Sequence, residues 1–415
     1  MKRREFLAGI TIGGMFLNLQ AELNALETPT DNSVIFIWLG GGAASPETFN
    51  HPLHSDIPDE YKGINGFARD PKTGITVGSD FSPLIDVSDK ISIVRSLSHG
   101  DSAHAQATFE QLNSFKSSDR TATPKTKYPS NGSIISNYYG TNHPSTQLPT
   151  FVALDNIVGD EPVWLGSKYS PFQNSNKNNL IPKDLENRYA QRLAMVNSIN
   201  GVGNRNSEIE KGITEYQKQA FSLIFGKTKD IFDVTKESEN TRELFGKGFG
   251  EKLLLARRLA ENGSKWISIV DNGWDMHSDI ESSMKNKVYV AQAIKTLIQD
   301  LYDRGLNKKV LVVVTTEFNR TTLTLNSGSP TVGRNHWPYN IPLLLSGGNY
   351  DHGRTIGETD RYGFKPEGLY HTPKDLQRTV FDHLKLDLNH KVTDNFGRPH
   401  VIHDNGGKNS KNILI

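Results

Sequence analysis

The sequence predicts an α/β fold in which a mostly parallel central sheet carries helices on both faces. Short runs of valine, isoleucine and leucine, as in residues 33–39 and 311–314, are typical of strands buried on both faces. Longer segments with helical spacing of apolar residues, as in 242–262, alternate with these runs. The 415-residue chain is long enough to bury such a core.

The predicted elements follow one another along most of the chain. Strands are predicted at 33–39, 91–95, 149–154, 266–270, 311–314 and 341–345, and helices at 105–115, 182–198, 208–225, 242–262, 280–306 and 372–384. We expect residues 29–415 to form a single domain, with a helical insertion at about 180–262, because no linker composition separates these helices from the rest.

Composition narrows the classes of function. The net charge of +1 gives no reason to expect nucleic acid as a partner. The absence of cysteine excludes disulfides, thiolate nucleophiles and cysteine-based metal sites, so any metal must be held by nitrogen or oxygen ligands. A redox cofactor is disfavoured, because neither a CxxCH motif nor a GxGxxG motif after a strand occurs. The oligomeric state stays open.

The N-terminus has the features of an export signal. Arg3 and Arg4 begin an Arg-Arg-x-Phe-Leu pattern, and the apolar stretch 7–17 that follows is shorter than the roughly 20 residues that span a membrane. We interpret residues 1–28 as a twin-arginine (Tat) signal, which predicts export to the periplasm by the Tat translocase, with an uncleaved membrane anchor as a variant. The alternative is an amphipathic N-terminal helix with chance arginines.

Polar clusters follow four of the predicted strands, at 40–50, 99–104, 271–277 and 317–320. The carboxyl ends of strands in an open sheet converge, so we expect these clusters to meet. Asp275 and His277 are two residues apart and face the same way in an extended segment. With His336 they form a set of two imidazoles and one carboxylate, which suits one divalent metal such as Zn²⁺. The alternative is a structural hydrogen bond between Asp275 and His277.

Four more residues are candidates for substrate chemistry. Arg320 and Arg334 have guanidinium groups that match the oxygens of phosphate or sulfate. Glu317 either supports the site or forms a plain salt bridge with Arg320. His104, at a predicted helix start, either caps that helix or acts as a nucleophile or a general acid or base.

Several motifs together resemble a known family. The stretches SVIFIWLGGG, NGWDMHS, VVVTTEFNRT, GRNHWP and FGRP, in this order, resemble the Tat-exported, sulfatase-like family catalogued as domain of unknown function 1501. That family is similar to the alkaline phosphatase and sulfatase superfamily, so the resemblance implies an alkaline phosphatase-like fold over residues 33–405.

The resemblance also implies roles for particular residues. Asp275, His277 and His336 match the ligand set of one metal site, and His104 falls about where the superfamily nucleophile lies. Glu317 and Phe318 stand in place of the Asp-His pair of a second metal site, whose first-strand aspartate is replaced by glycine at position 40 or 41. The chain also has Asn335 where relatives often carry aspartate. The implied second site has therefore lost ligands.

Two hypotheses follow. The first is a periplasmic, metal-dependent hydrolase of a small phosphorylated or sulfated substrate, with Arg320 and Arg334 binding the anion and His104 and Glu317 in catalysis. The second is a degenerate, non-catalytic periplasmic binding protein of the same fold, which the lost ligands of the second site favour.

Overall fold

The computed structural model describes residues 31–51, 56–173, 228–326, 328–394 and 396–415. The predicted signal segment 1–28, with Arg3 and Arg4, and the predicted helices 182–198 and 208–225 lie outside the described residues. Among the helices that are described, none is long and apolar enough to cross a membrane.

The strands come first, in chain order: β1 (Ser33–Gly40), β2 (Phe67–Arg69), β3 (Thr76–Gly78), β4 (Ile91–Val94), β5 (Phe151–Ala153), β6 (Phe172–Gln173), β7 (Trp266–Asn272), β8 (Val310–Thr315), β9 (Asn319–Arg320), β10 (His336–Trp337), β11 (Leu343–Gly347), β12 (Arg354–Ile356), β13 (Glu358–Thr359), β14 (Pro366–Glu367), β15 (Lys391–Thr393) and β16 (Pro399–Val401). The α-helices of the described ranges are α1 (His104–Asn113), α2 (Asn131–Tyr139), α3 (Thr228–Phe232), α4 (Glu239–Phe245), α5 (Phe249–Glu261), α6 (Ile280–Lys285), α7 (Val288–Asp303) and α8 (Pro373–Leu384).

One eight-stranded sheet organises these elements, in the order β12-β4-β11-β8-β1-β7-β5-β6. Strand β1 pairs in parallel with both β7 and β8, and β11 pairs antiparallel with β8 and with β4. Within this sheet β11 alone runs against the other strands, so the predicted mostly parallel sheet is confirmed. The carboxyl ends of β1, β4, β7 and β8 therefore lie along one edge.

Helices cover both faces of the sheet, as predicted. Along β1 the side chains of Ile35, Ile37 and Leu39 enter one apolar cluster, which also contains residues of α5 and α7. The intervening side chains of β1 enter a second cluster, which contains residues of α2 and α8. This alternation is the period of two that a strand imposes on its side chains.

The structure corrects some element boundaries. The predicted helix 242–262 is two helices, because Gly246 and Gly248 have φ of +71° and +68°, values outside the right-handed helical region. The predicted helix 280–306 likewise divides into α6 and α7. Helix α2 was missed, although Ser130 is a recognisable N-cap whose side chain accepts the Ser133 N–H.

The proposed insertion at 180–262 can be followed only in its last part. Helix α5 packs against the sheet, and its Leu253 and Leu259 are fully buried in the same cluster as Ile35. This part of the range is therefore a layer of the main fold. The remainder of the proposed insertion stays a prediction.

A buried carboxyl group behind β7 leads to a prediction on stability. Asp160 is 6% exposed, and its Oδ2 accepts a hydrogen bond from Ser268 at 3.3 Å. Burial raises the pKa of Asp160 to about 6, above its ordinary value of 3.8. The folded state therefore holds a proton that the unfolded state has released, and the free energy of unfolding falls as pH rises from about 4 to about 6.

Asp160→Asn is expected to remove this loss, which amounts to about 3 kcal/mol for a shift of roughly two pKa units. Denaturant unfolding at about pH 4.5 and about pH 7.5 should show a stability gain over wild type that is larger at the higher pH. The exposed Asp303→Asn is the control. An equal gain at both pH values would show that Asp160 ionises normally in the folded protein.

Candidate metal and catalytic site

Three chain segments meet at the carboxyl ends of β1, β7 and β8. Gly41 follows β1, Asp275 follows β7 and Glu317 follows β8. Gly41 has φ of +121°, and a Cβ at this position would lie 2.5 Å from the Asp275 nitrogen. Only glycine permits this approach, which brings the first strand against the Asp275 segment.

A loop returns His336 to the same place. Strand β10 pairs antiparallel with β9, so that His336 lies opposite Arg320. The backbone of Gly333 lies against His277, since a Cβ at Gly333 would be 2.0 Å from the His277 carbonyl carbon. The Arg334 N–H donates to the Met276 carbonyl at 3.0 Å. The loop is thus fixed to the segment that carries Asp275 and His277.

Asp275 is the centre of the side-chain cluster. Its Oδ1 lies 2.9 Å from His277 Nε2 and 3.3 Å from His336 Nε2, and its Oδ2 lies 3.5 Å from His104 Nε2. The nitrogens His277 Nε2 and His336 Nε2 are 3.1 Å apart. The three predicted metal ligands therefore converge, and His104, predicted as a catalytic residue, joins them.

The hydrogen bonds of two imidazoles leave their Nε2 lone pairs facing this centre. His336 Nδ1 lies 2.8 Å from the Ser102 carbonyl, which can only accept, so the proton of neutral His336 is on Nδ1. His104 Nδ1 lies 2.8 Å from the Glu317 carboxylate, which fixes the same tautomer. Burial lowers the pKa of His336, which keeps that ring neutral.

Glu317 is a buried acceptor. It is 3% exposed, its Oε1 accepts the Gly41 N–H at 2.8 Å as well as His104, and its Oε2 accepts the Thr316 hydroxyl at 2.9 Å. Its hydrogen bond raises the pKa of His104. Its carboxylate orients His104, whereas the ion pair of Arg320 is formed with Asp275.

Arg320 is fully buried and holds Asp275. Its Nε donates to the Gly42 carbonyl at 2.9 Å, and its Nη2 donates to the Gly41 carbonyl and to the Asp275 carboxylate. Burial alone would raise the pKa of Asp275, but Arg320 lowers it to about 2. The predicted contact of Arg320 with a substrate anion would require it to leave these partners.

Arg320 also limits the role of His277. Its Nη1 lies 3.2 Å from His277 Nε2. A neutral ring nitrogen has a single lone pair, so this contact competes with a metal ion for His277. The atoms of His104, Asp275 and His336 that could bind a metal all lie within 4.8 Å of one another. In this arrangement these three residues form the better ligand set.

Arg334 is placed away from any ligand. It is fully buried, and its Nη2 lies 2.6 Å from the Glu47 carboxylate. Its other N–H groups donate to Glu47 and to the carbonyls of Lys62, Thr321 and Thr322. No N–H of Arg334 is left for a substrate anion, and we therefore assign this residue a structural role in place of the predicted anion contact.

Phe318 occupies the region where the resemblance implied a second metal site. It is fully buried, its ring centroid lies 4.4 Å from that of His336 and 4.8 Å from that of His104, and a Cβ at Gly42 would be 2.3 Å from the ring. Phe318 therefore forms an apolar wall beside His104 and His336.

Sequence reasoning did not assign the contacts that His99, Ser102 and Gly333 make around the cluster. His99 donates from Nε2 to the Glu317 carbonyl at 2.6 Å and accepts the Asp101 N–H at 3.1 Å, and burial lowers the pKa of His99 to about 4. His99 is thus a neutral structural residue. The Ser102 carbonyl and Gly333 act through the backbone, and no side-chain pattern could have indicated them.

The fold and the cluster define an α/β protein with a histidine–carboxylate site at the carboxyl edge of its sheet. The chain belongs to the family described as "Protein of unknown function (DUF1501)", which it matches over residues 31–414. A comparison with curated proteins gave no match.

The solved structures that match this chain share little sequence with it. The lipoteichoic acid synthase LtaP from Listeria monocytogenes is 10% identical, with 93% of this chain and 76% of that chain covered and a TM-score of 0.41. The PsFucS1 sulfatase from Pseudoalteromonas sp. is 11% identical, with 90% and 71% covered and a TM-score of 0.42. A protein in the alkaline phosphatase superfamily from Vibrio parahaemolyticus is 8% identical, with 86% and 68% covered and a TM-score of 0.38. These values are too low to carry a statement on activity.

Glu317→Gln tests the orientation of His104. The amide oxygen of glutamine can still accept the Gly41 and His104 N–H groups, but the substitution removes the negative charge beside His104 and places an NH₂ group against the Thr316 hydroxyl. We expect metal affinity to fall by about 10- to 100-fold, as is typical when the carboxylate partner of a histidine ligand is removed. Zinc titration calorimetry measures this, with Glu281→Gln, an exposed glutamate, as the control. Unchanged zinc affinity would remove His104 from the ligand set.

Proposed function

We propose that this protein is an exported hydrolase of phosphate or sulfate esters that uses one divalent metal ion. The observation that carries the proposal is the convergence of Asp275 with the Nε2 atoms of His104 and His336, in tautomers that present lone pairs. When both rings are neutral, neither directs an N–H at the centre, and this donor set is then suited to a cation such as Zn²⁺.

His104, Asp275 and His336 would hold the ion. When bound, a divalent ion supplies a Lewis acid that polarises the ester and lowers the pKa of a water molecule. The chain supplies the orientation: Glu317 fixes the ring of His104, the Ser102 carbonyl fixes that of His336, and Arg320 keeps Asp275 ionised. Export rests on the Arg3-Arg4 signal pattern, and the substrate class rests on the family resemblance.

Exposure of the cluster supports access by a substrate. The side chains of His104, His277 and Asp275 are 42%, 45% and 48% exposed, whereas Glu317 and Arg320 beneath them are 4% and 0% exposed. The candidate ligand side chains are thus open to solvent, while Glu317 and Arg320, which hold them in place, are buried. An ester group can therefore reach the ligand side chains from solvent without contact between solvent and these two residues.

The second candidate is a binding protein without turnover. It is favoured by the two arginines, since Arg320 and Arg334 already donate to protein acceptors, and by Phe318, which fills the place of further ligands. Such a protein would bind a metal ion or an anion at the same cluster and release it unchanged.

Reconstitution separates the two candidates. The purified protein, stripped with a chelator, is loaded with Zn²⁺, Mn²⁺ or Mg²⁺ and assayed with 4-nitrophenyl phosphate and 4-nitrophenyl sulfate. The proposal predicts that one equivalent of metal restores hydrolysis of at least one ester, and that His336→Ala abolishes it. His400→Gln, which changes a histidine paired with Asp394 outside the cluster, should have no effect. Stoichiometric metal binding without turnover of either ester would favour the binding protein.

A further inference from the structure

A cavity of about 440 Å³ lies beside β12, the outermost strand of the eight-stranded sheet. Residues of β12, of the segment before α8 and of positions 411–415 line it. Its volume falls within the range of about 300–1,000 Å³ in which small molecules usually bind. No residue of the histidine cluster is among its lining residues, so this cavity is separate from the candidate metal site.

His371 presents a hydrogen-bond donor to this cavity. It lines the cavity although it is only 3% exposed, and its Nδ1 lies 2.7 Å from the hydroxyl of the fully buried Ser96. A buried hydroxyl without an acceptor is costly, so Ser96 donates to Nδ1. Burial lowers the pKa of His371, which keeps the ring neutral with its proton on Nε2. Since Nε2 has no partner among the described residues, its N–H is available to a ligand.

Two cations line the same cavity. Arg354 and Lys411 are exposed, and Arg354 Nη2 donates to the Leu414 carbonyl at 2.6 Å, which positions the guanidinium group. Within the described ranges, the Lys411 ammonium has no hydrogen-bond partner. No acidic side chain of the described residues lines the cavity, and the nearby Asp375 carboxylate already accepts the backbone N–H groups of Lys411 and Thr372. The polar lining is therefore suited to a negative charge.

The rest of the lining is largely apolar. We call Ile356, Leu369 and Ile413 the apolar wall of the cavity. Leu369 is 44% exposed, an unusually large fraction for a leucine next to a well-packed strand, whereas Ile413 is 4% exposed. An inorganic ion alone would leave this wall in contact with water, whereas an aliphatic group would cover it and gain the free energy of apolar burial.

We propose that this cavity binds a small organic anion that carries an oxyanion group on an aliphatic body. The His371 Nε2–H donates to the oxyanion, Arg354 and Lys411 supply the opposite charge, and the apolar wall contacts the body. A planar carboxylate and a tetrahedral group such as a sulfonate or phosphonate share this chemistry. The proposal is independent of the histidine cluster and of ester hydrolysis.

Titration calorimetry with hexanoate and hexanesulfonate tests the site, because neither compound is an ester that the proposed hydrolase could cleave. Each buried methylene contributes about fourfold in affinity, so we expect at least one of the two anions to bind at least about 10-fold more tightly than sodium sulfate. Hexanol has the same body without the charge, and hexylammonium has the opposite charge. Both should bind at least about 10-fold more weakly than the better anion.

Two substitutions of His371 separate its cavity-facing nitrogen from its contact with Ser96. His371→Asn keeps a polar group near Ser96 but loses the donor at the position of Nε2, and it should weaken anion binding by about 10-fold. His371→Gln places an amide N–H near the position of Nε2 and should bind more tightly than His371→Asn. Denaturant unfolding of both variants shows whether they are folded.

Substitutions of the exposed cations keep the test decisive if the His371 variants fail to fold. Arg354→Gln and Lys411→Gln should each weaken binding by about 2- to 5-fold, as expected for exposed charges, and the double variant should weaken it further. Lys408→Gln is the matched control, because Lys408 is an exposed lysine near Lys411 that does not line the cavity.

The results separate this proposal from the proposed function. His336→Ala should bind the anions as the wild type does, and the double variant Arg354→Gln/Lys411→Gln should keep its zinc binding. Tighter binding of hexanoate would assign a carboxylate to the ligand, and tighter binding of hexanesulfonate would assign a tetrahedral group. Hexanol binding as tightly as both anions would overturn the site, as would wild-type affinity of the double variant for the better anion.

Discussion

Asp275→Asn is expected to abolish stoichiometric metal binding and any hydrolysis that depends on the metal. Asp275 is the carboxylate that the imidazoles of His104, His277 and His336 share. A neutral amide removes the negative charge from the ligand set and leaves Arg320 without its ion-pair partner. Loss of an outer-sphere partner alone typically costs about 10- to 100-fold in metal affinity, so loss of the central ligand should cost at least about 100-fold.

Zinc titration calorimetry and elemental analysis of the purified variant measure this effect. Asp279→Asn is the matched control, because Asp279 is an exposed aspartate on the same segment after β7 and contacts none of the histidines. Retention of wild-type zinc affinity by Asp275→Asn, with a normal unfolding transition, would exclude this cluster as the metal site.

Glu47→Ala is expected to lower the free energy of unfolding by about 3–5 kcal/mol, the usual cost of removing one partner of a buried ion pair. The side chains of Glu47 and Arg334 are 1% and 0% exposed, and Glu47 Oε1 accepts hydrogen bonds from Arg334 Nη2 at 2.6 Å and Nε at 3.1 Å. The variant would leave a buried guanidinium with its charge unpaired.

Denaturant unfolding measures this loss, and Arg334→Met provides the complementary variant. Methionine removes the guanidinium charge of Arg334 and leaves the Glu47 carboxylate without its ion-pair partner. An exposed pair serves as the control: Glu281→Ala, which breaks the contact with Lys285, should cost no more than about 1 kcal/mol. A loss below about 1 kcal/mol for Glu47→Ala would mean that Arg334 does not depend on Glu47, and would restore Arg334 as a candidate for anion binding.

Much of the fold could be predicted because the central strands are apolar along their whole length. Strand β1 was predicted at 33–39 and observed at Ser33–Gly40, since a run buried on both faces has few alternatives. Breaks within helices were harder to predict. The interruption at Gly246 and Gly248 depends on φ values that glycine permits but does not require. The reversed direction of β11 is set by tertiary pairing, which a single apolar run does not encode.

The side chains of the candidate site could be predicted, whereas most of the contacts that hold them in place could not. Asp275, His277 and His336 were predicted as one set and lie together, because Asp275 and His277 follow β7 and the antiparallel pair of β9 and β10 returns His336 to the same edge of the sheet. The role of each side chain was harder to predict from the sequence. The contact of Arg320 with His277 and the contact of Glu317 with His104 depend on side-chain directions across more than 40 residues of sequence. For the same reason Arg334 was predicted to bind an anion when its partner is Glu47.

A crystal structure of the zinc-loaded protein, with anomalous scattering recorded at the zinc edge, tests the central claim most directly. We predict one anomalous peak, about 2.0–2.2 Å from an oxygen of Asp275 and from the Nε2 atoms of His336 and His104, with Arg320 still paired to Asp275. A peak at another group of residues would contradict the account. The absence of any peak at this cluster, in protein that elemental analysis shows to contain zinc, would contradict it as well.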